Sequence, residues 1–245
     1  MNIVWAVNPS APSEMTHVGN FTDSGGQPMM LNNTRGFIYE YNINESAQTT
    51  RWKAYVGNIT GELKLGDGTS NIMAWDLTHV TGELFATRYH GVGTTGSLGQ
   101  GPTGIVTWST LQCAPASLVS RESASLNHND AYHVDSLNKT ITAEQNALFR
   151  NFIVAGRQIN AQNNCLGTFL YSDGEAQTTM WQQVALEDTG DSQDDDIMFA
   201  VMLENQQVGF NGQTYDYQIL LPDNGDPTGQ QYAYYFYIEL SGETI

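Results

Sequence analysis

The feature that most restricts this chain is its punctuation. About a dozen short runs rich in β-branched and aromatic residues follow one another, each closed by Gly, Asn, Asp or Pro. They fall at 3–7, 36–43, 51–58, 61–65, 72–77, 80–89 and 105–111, then at 166–171, 181–187, 196–204, 215–221 and 232–240. Several alternate with a period of two. In 234–240, Tyr235, Tyr237 and Glu239 share one face, while Tyr234, Phe236, Ile238 and Leu240 share the other and are expected to point inward. Many short strands with turn residues between them predict an all-β fold, a β-sandwich or jelly-roll-like arrangement.

One stretch reads as helix. Thr142-Ala143-Glu144-Gln145 fits a capping box, Leu148, Phe149, Phe152 and Ile153 follow at helical spacing, and Gly156 stands where a C-terminal cap belongs. The same Phe152-Ile153-Val154 would also serve as a strand. The expected organisation is an extended N-terminal strand and arm over 1–35, then a single β-sandwich domain over 36–245.

Charge removes whole classes of partner. The chain has 26 acidic residues against nine Lys and Arg, a net charge of −17, and no basic patch. Polyphosphates are bound by clustered cations that displace counterions, so neither nucleic acid nor anionic lipid is an expected partner. Charged residues are only 14% of the chain while aromatics are plentiful, which is the composition of a folded core rather than of disorder. No apolar run approaches the roughly 18 residues of a membrane span. Met1–Val7 is too short and lacks the basic stretch of a secretory signal, so an extracellular reading takes the chain as a mature one.

Cys113 and Cys165, 52 residues apart, are not a CxxC redox or zinc motif. They are either one long-range disulfide, the favoured reading, or two buried thiols. Sequons at Asn20, Asn32, Asn44, Asn58 and Asn138 are compatible with a glycosylated, cell-surface protein.

Chemistry has few places to sit. Calcium takes six to eight oxygen ligands, and the run from Asp188 through Asp191 to Asp194, Asp195 and Asp196, with Gly190 inside it, offers a candidate site. The competing reading is a solvated acidic turn. His128, Asp130, His133 and Asp135 combine imidazole and carboxylate, but a strand would send them to opposite faces. Glu62 and Glu83 occupy matching places in two Thr-Gly-Glu-Leu segments, and as cross-strand neighbours they could supply the carboxylate pair of glycoside hydrolysis. Gly91–Gly104 is glycine-rich but has no Lys for a phosphate loop. Trp52, Tyr55, Trp75, Trp108 and Trp181 lie in strand candidates, where core packing is the default and a sugar-stacking platform the alternative. No motif of a hydrolase, metalloprotease or dinucleotide enzyme is present.

The phrases Arg51–Gly61, Gly82–Arg88, Gly209–Gly212 and Tyr235–Leu240 resemble an uncharacterised group of secreted, β-rich envelope proteins of archaea and bacteria. That resemblance implies no activity. The expected function is a non-catalytic extracellular structural subunit of a surface layer, filament or adhesive appendage. It would self-associate by strand pairing, with the apolar segment Ile3, Val4, Trp5 and Val7 offered to a neighbour's sheet edge. The alternatives are a calcium-assisted carbohydrate-binding module, with glycans as partner, and a secreted glycan-degrading enzyme.

Overall fold

The computed structural model describes residues 51–59, 81–88, 106–128, 134–190, 197–224 and 234–239. It also describes the backbone of strands at 20–22, 30–31, 34–37, 40–42, 44–48, 62–66, 71–76 and 240–241. The strands of the first half are β1 (Asn20–Thr22), β2 (Met30–Leu31), β3 (Thr34–Phe37), β4 (Glu40–Asn42), β5 (Asn44–Gln48), β6 (Trp52–Gly57), β7 (Glu62–Gly66), β8 (Asn71–Asp76) and β9 (Thr81–Thr87). Next come β10 (Leu111–Cys113), helix α1 (Ala116–Ser125) and helix α2 (Leu137–Thr140). The remaining strands are β11 (Phe152–Val154), β12 (Arg157–Ile159), β13 (Gly167–Phe169), β14 (Gln182–Asp188), β15 (Ile197–Met202), β16 (Gln207–Val208), β17 (Thr214–Tyr215), β18 (Tyr217–Pro222) and β19 (Tyr235–Ser241). Strand takes up 43% of the described residues and every pairing is antiparallel, so the fold is all-β.

A six-stranded sheet in the order β10-β14-β15-β9-β19 forms the centre, with β13 beside β10 on the same edge of β14. A three-stranded sheet, β18-β6-β5, packs on one face of it. Leu84, Ala86, Ile197, Phe199 and Val201 from the large sheet meet Trp52, Val56 and Ile219 from the small one. Helix α1 closes one end through Leu118 and Val119. The opposite face is covered as well. Phe85, Val184, Leu186, Met198 and Ala200 pack there beneath the β11–β12 hairpin, through Phe152 and Ile159, and beneath Trp108.

Burial on both faces explains the run Ile-Met-Phe-Ala-Val-Met of β15, where alternate residues enter different cores. It also corrects one expected face. Phe236 and Ile238 pack inward as expected, but Tyr237 meets Trp108 edge-on at 5.2 Å in the second core rather than facing water.

The helix expected over 142–156 is absent. Thr142 makes a bridge to Gly167, Asn146–Leu148 form a single 3-10 turn, and Phe152–Val154 are a strand. Ala155 and Gly156, at φ 49° and 76°, form the two-residue turn of a hairpin. Glycine at positive φ serves a helix cap and a hairpin turn equally, which is why the sequence signal misleads. The true helix, α1, begins after Pro115 with no capping hydrogen bond. The run expected at 105–111 is instead a 3-10 turn at Trp108–Thr110 leading into β10. The segment 36–43 is split between β3 and β4.

Three buried glutamines tie the layers together. From β14, Gln183 Nε2 donates to Leu220 O at 2.7 Å and its Oε1 accepts from Leu220 N at 2.8 Å. Its neighbour Gln182, on the opposite face, grips Arg150 N and O at 2.6 and 3.0 Å. Gln218 accepts from Phe210 N and donates to Tyr171 O, both at 2.8 Å. Each amide supplies one donor and one acceptor to otherwise unpaired backbone, which removes the desolvation cost of burying it.

Candidate functional site

Cys113 and Cys165 are joined in a disulfide. It links β10 to the chain entering β13, so the two short strands that share one edge of β14 are also covalently tied. Beside the bridge lies an open cleft of about 280 Å³ between β10 and β12, lined by Gln112, Gln158, Asn160 and Asn164 among others. Arg157 also lines it, and its Nη1 donates to Ser109 O at 3.0 Å. Ala114 N donates to Ala185 O, so by the alternation of an antiparallel ladder Gln112 bonds to β14, while the amides and carbonyls of Leu111 and Cys113 turn toward the cleft.

The opposite edge of the sheet is β19. Leu203 N donates to Gly82 O, which fixes the parity of β9: its even residues face β15 and its odd residues face β19. The odd residues of β19 therefore bond to β9, and Phe236 and Ile238 direct their backbone outward. Among the described residues no strand lies against them.

The Glu62–Glu83 pairing is not formed, because Glu62 is on β7 in the four-stranded sheet and Glu83 is on β9 in the central one. The cross-strand neighbour of Glu83 is Glu239 of β19, a partner the sequence reading missed. Glu239 accepts from Ala155 N with both oxygens at 2.9 Å. Glu83 is 7% exposed, and its pKa is pushed up to about 7, first by burial and then by the Glu239 charge. The Ile153 backbone hydrogen bond opposes this only in part. The folded protein therefore holds this proton more tightly than the unfolded chain does. Stability from Glu83 is full below pH about 4.5 and is lost as pH rises through about 7, a change on the order of 3 kcal/mol. Urea midpoints measured from pH 4.5 to 8 are expected to fall more steeply for the wild type than for Glu83→Gln. Parallel profiles would show that Glu83 titrates normally.

Of the acidic run, Asp188 is buried and already occupied. Its Oδ2 accepts from Thr107 N at 2.7 Å, and its Oδ1 accepts from Thr110 Oγ1 at 2.8 Å and Gly190 N at 2.9 Å. It holds the turn before β10 against the end of β14. Asp191, Asp194, Asp195 and Asp196 lie outside the described residues. Among the described residues no three His, Cys, Asp or Glu side chains cluster to hold a metal.

Of the mixed His–Asp set, Asp130 and His133 lie outside the described residues. His128 is buried, with its ring edge-on to Trp52 at 5.7 Å, and its Nε2 donates to Asp223 O at 2.5 Å. Burial lowers its pKa, against the opposing hydrogen bond to Asp223, which leaves the ring neutral at neutral pH. The Asp135 carbonyl accepts from Trp52 Nε1 at 2.7 Å. These groups fasten the ends of α1 and α2 to β6.

Trp52, Tyr55 and Trp181 are buried and Trp108 is half-buried in the second core, as core packing requires. The side chain of Trp75 is outside the described residues. Asn58 and Asn138 are half-buried, and their Oδ1 atoms accept from Gln206 Nε2 and Ser120 Oγ at 3.2 Å each. Asn20 and Asn44 lie on β1 and β5, whose side chains are not described. Asn32, and the segment holding Ile3, Val4, Trp5 and Val7, are outside the described residues. Among the described residues no helix is long and apolar enough to cross a membrane. In comparisons with known proteins, the chain matches no family model, no curated protein and no solved structure.

Proposed function

We propose that this protein is a non-catalytic structural subunit of an extracellular assembly, such as a surface layer, filament or adhesive appendage, and that it self-associates by strand pairing. The observation that carries this reading is the central sheet: among the described residues no strand lies against the outward backbone of Phe236 and Ile238 of β19, while Leu111 and Cys113 of β10 turn theirs toward the open cleft beside β12. Unpaired strand edges are templates for another chain, and natural monomers cover or charge them. The disulfide supports an oxidising, extracellular setting. The resemblance to secreted envelope proteins points the same way. Glycosylation at the sequons would be compatible with that surface.

The segment Ile3, Val4, Trp5 and Val7 is the strand we assign for donation to a neighbour. Met1–Ser13 carries no ionisable side chain, so in a chain of net charge −17 it can approach a second copy without side-chain repulsion. The calcium and glycan readings have less support, since Asp188 already accepts three hydrogen bonds from the protein and the described tryptophans are in the cores. Deleting residues 1–30 is expected to shrink the assemblies seen by electron microscopy and sedimentation. Assemblies of unchanged size would rule out strand donation, and a wild-type chain that stays monomeric at every concentration would overturn the assembly reading itself.

A further inference from the structure

We infer that β19 is a self-complementary docking edge, on which a second copy of this chain pairs antiparallel about Ile238 and joins two six-stranded sheets into one. This rests on the assembly reading above and names its partner and register.

Among the described residues the edge lacks most of the devices that normally block such pairing. Tyr-Phe-Tyr-Ile-Glu-Leu-Ser contains no Lys and no Pro, and its ladder with β9 runs from Tyr235 to Ser241 without a bulge. Its one charge, Glu239, is turned to the face of the sheet, where Ala155 N holds it. Apolar surface remains at the rim: Tyr235 is 41% exposed, and Phe236 and Ile238 are only partly buried against the first core.

The register follows from parity and charge. Only even residues of β19 direct their amides and carbonyls outward, so they must be the hydrogen-bonded positions of any new ladder. Pairing Ile238 with Ile238 of the second copy places Phe236 opposite Leu240 and uses the whole strand. It sets Glu239 opposite Tyr237. Sliding by one step to pair Ile238 with Leu240 would put the two Glu239 side chains directly opposite, a destabilising like-charge pair. The favoured register is also closed, since the same patch serves both copies about a two-fold axis.

This register makes Tyr235 of one copy the direct neighbour of Ser241 of the other, at a position where opposite Cβ atoms lie about 4.5–5.5 Å apart. The native cysteines are both in the disulfide, so Tyr235→Cys and Ser241→Cys proteins each carry one free thiol. Mixed and treated with oxidised glutathione, they are expected to give a covalent heterodimer. Each variant alone is expected to stay uncrosslinked, because identical positions lie six residues apart, about 20 Å. Melting curves matching the wild type establish that both variants fold, and Tyr235→Lys, which charges the same edge, should reduce dimer on sedimentation. A homodimer from either variant alone, in equal yield to the mixture, would overturn the register. An oligomeric wild type with no crosslink in the mixture would overturn pairing at β19 and leave the assembly reading standing. A monomeric wild type would overturn both.

Discussion

Replacing Cys113 and Cys165 together by alanine is expected to destabilise the protein by about 4 kcal/mol. The magnitude follows from loop closure: the bridge closes a loop with a sequence separation of 52, and removing that constraint returns chain entropy on the order of 4 kcal/mol to the unfolded ensemble. The folded state loses little else, because alanine leaves no orphaned polar atom in the second core, where Cys165 is fully buried. For a domain of this size the loss corresponds to a melting temperature lower by about 8–16 °C. The location sharpens the expectation. β10 has three residues, pairs among the described residues with β14 alone, and is held by the bridge at Cys113 and by Asp188 through Thr107 and Thr110 at its start. Thermal melts of the double variant, and of wild type with and without a reductant, check this. A drop of less than about 2 °C would mean that the bridge does not restrict the unfolded chain.

What was legible in the sequence, and what was not, divides along the range of the interactions. Runs that are β-rich and closed by turn residues, such as β6, β9, β14, β15 and β18, lie within a residue or two of their expected places, because period, propensity and punctuation agree there. β5 was missed: Asn-Glu-Ser-Ala-Gln carries no β signal, and it is held by pairing to β6 with a bulge near Glu45. Helix α1 was missed because only Leu118, Val119, Glu122 and Ser123 are buried, a weak apolar stripe without a cap. The acid pair shows the same limit more sharply. Repetition of Thr-Gly-Glu-Leu suggested Glu62 as the companion of Glu83, whereas the partner is set by β19 lying beside β9, and sheet order over some 150 residues leaves no local trace. The glutamine clamps are equally silent, since nothing around Gln182, Gln183 or Gln218 distinguishes a buried amide from a solvated one. The covering of both faces of the central sheet could have been suspected from the unbroken apolar run of β15, which suits a strand buried on both sides better than one facing water.

The second large effect is expected at Arg88 and Glu122. Arg88 follows β9, and its Nε and Nη2 donate to the two carboxylate oxygens of Glu122 on α1 at 2.6 Å each, with Ser125 Oγ as a further acceptor. The side chains are 3% and 1% exposed, so neither charge has water to fall back on. Arg88→Met leaves a buried carboxylate without its counter-ion and is expected to cost about 3–5 kcal/mol. The pair as a whole is worth far less, since two ions left water to form it. Arg88→Met combined with Glu122→Leu should therefore recover most of that loss, apart from roughly 1 kcal/mol for the hydrogen bond to Ser125. Urea denaturation of the two single variants and the double variant measures the coupling directly. Additive losses would show that the two side chains act independently and that packing of Leu118 and Val119 alone holds α1 on the sheet. A double variant close to wild type would instead place the role of the ion pair in orientation: a bidentate guanidinium accepts one approach of the carboxylate, which fixes the angle of α1 where apolar packing would tolerate several.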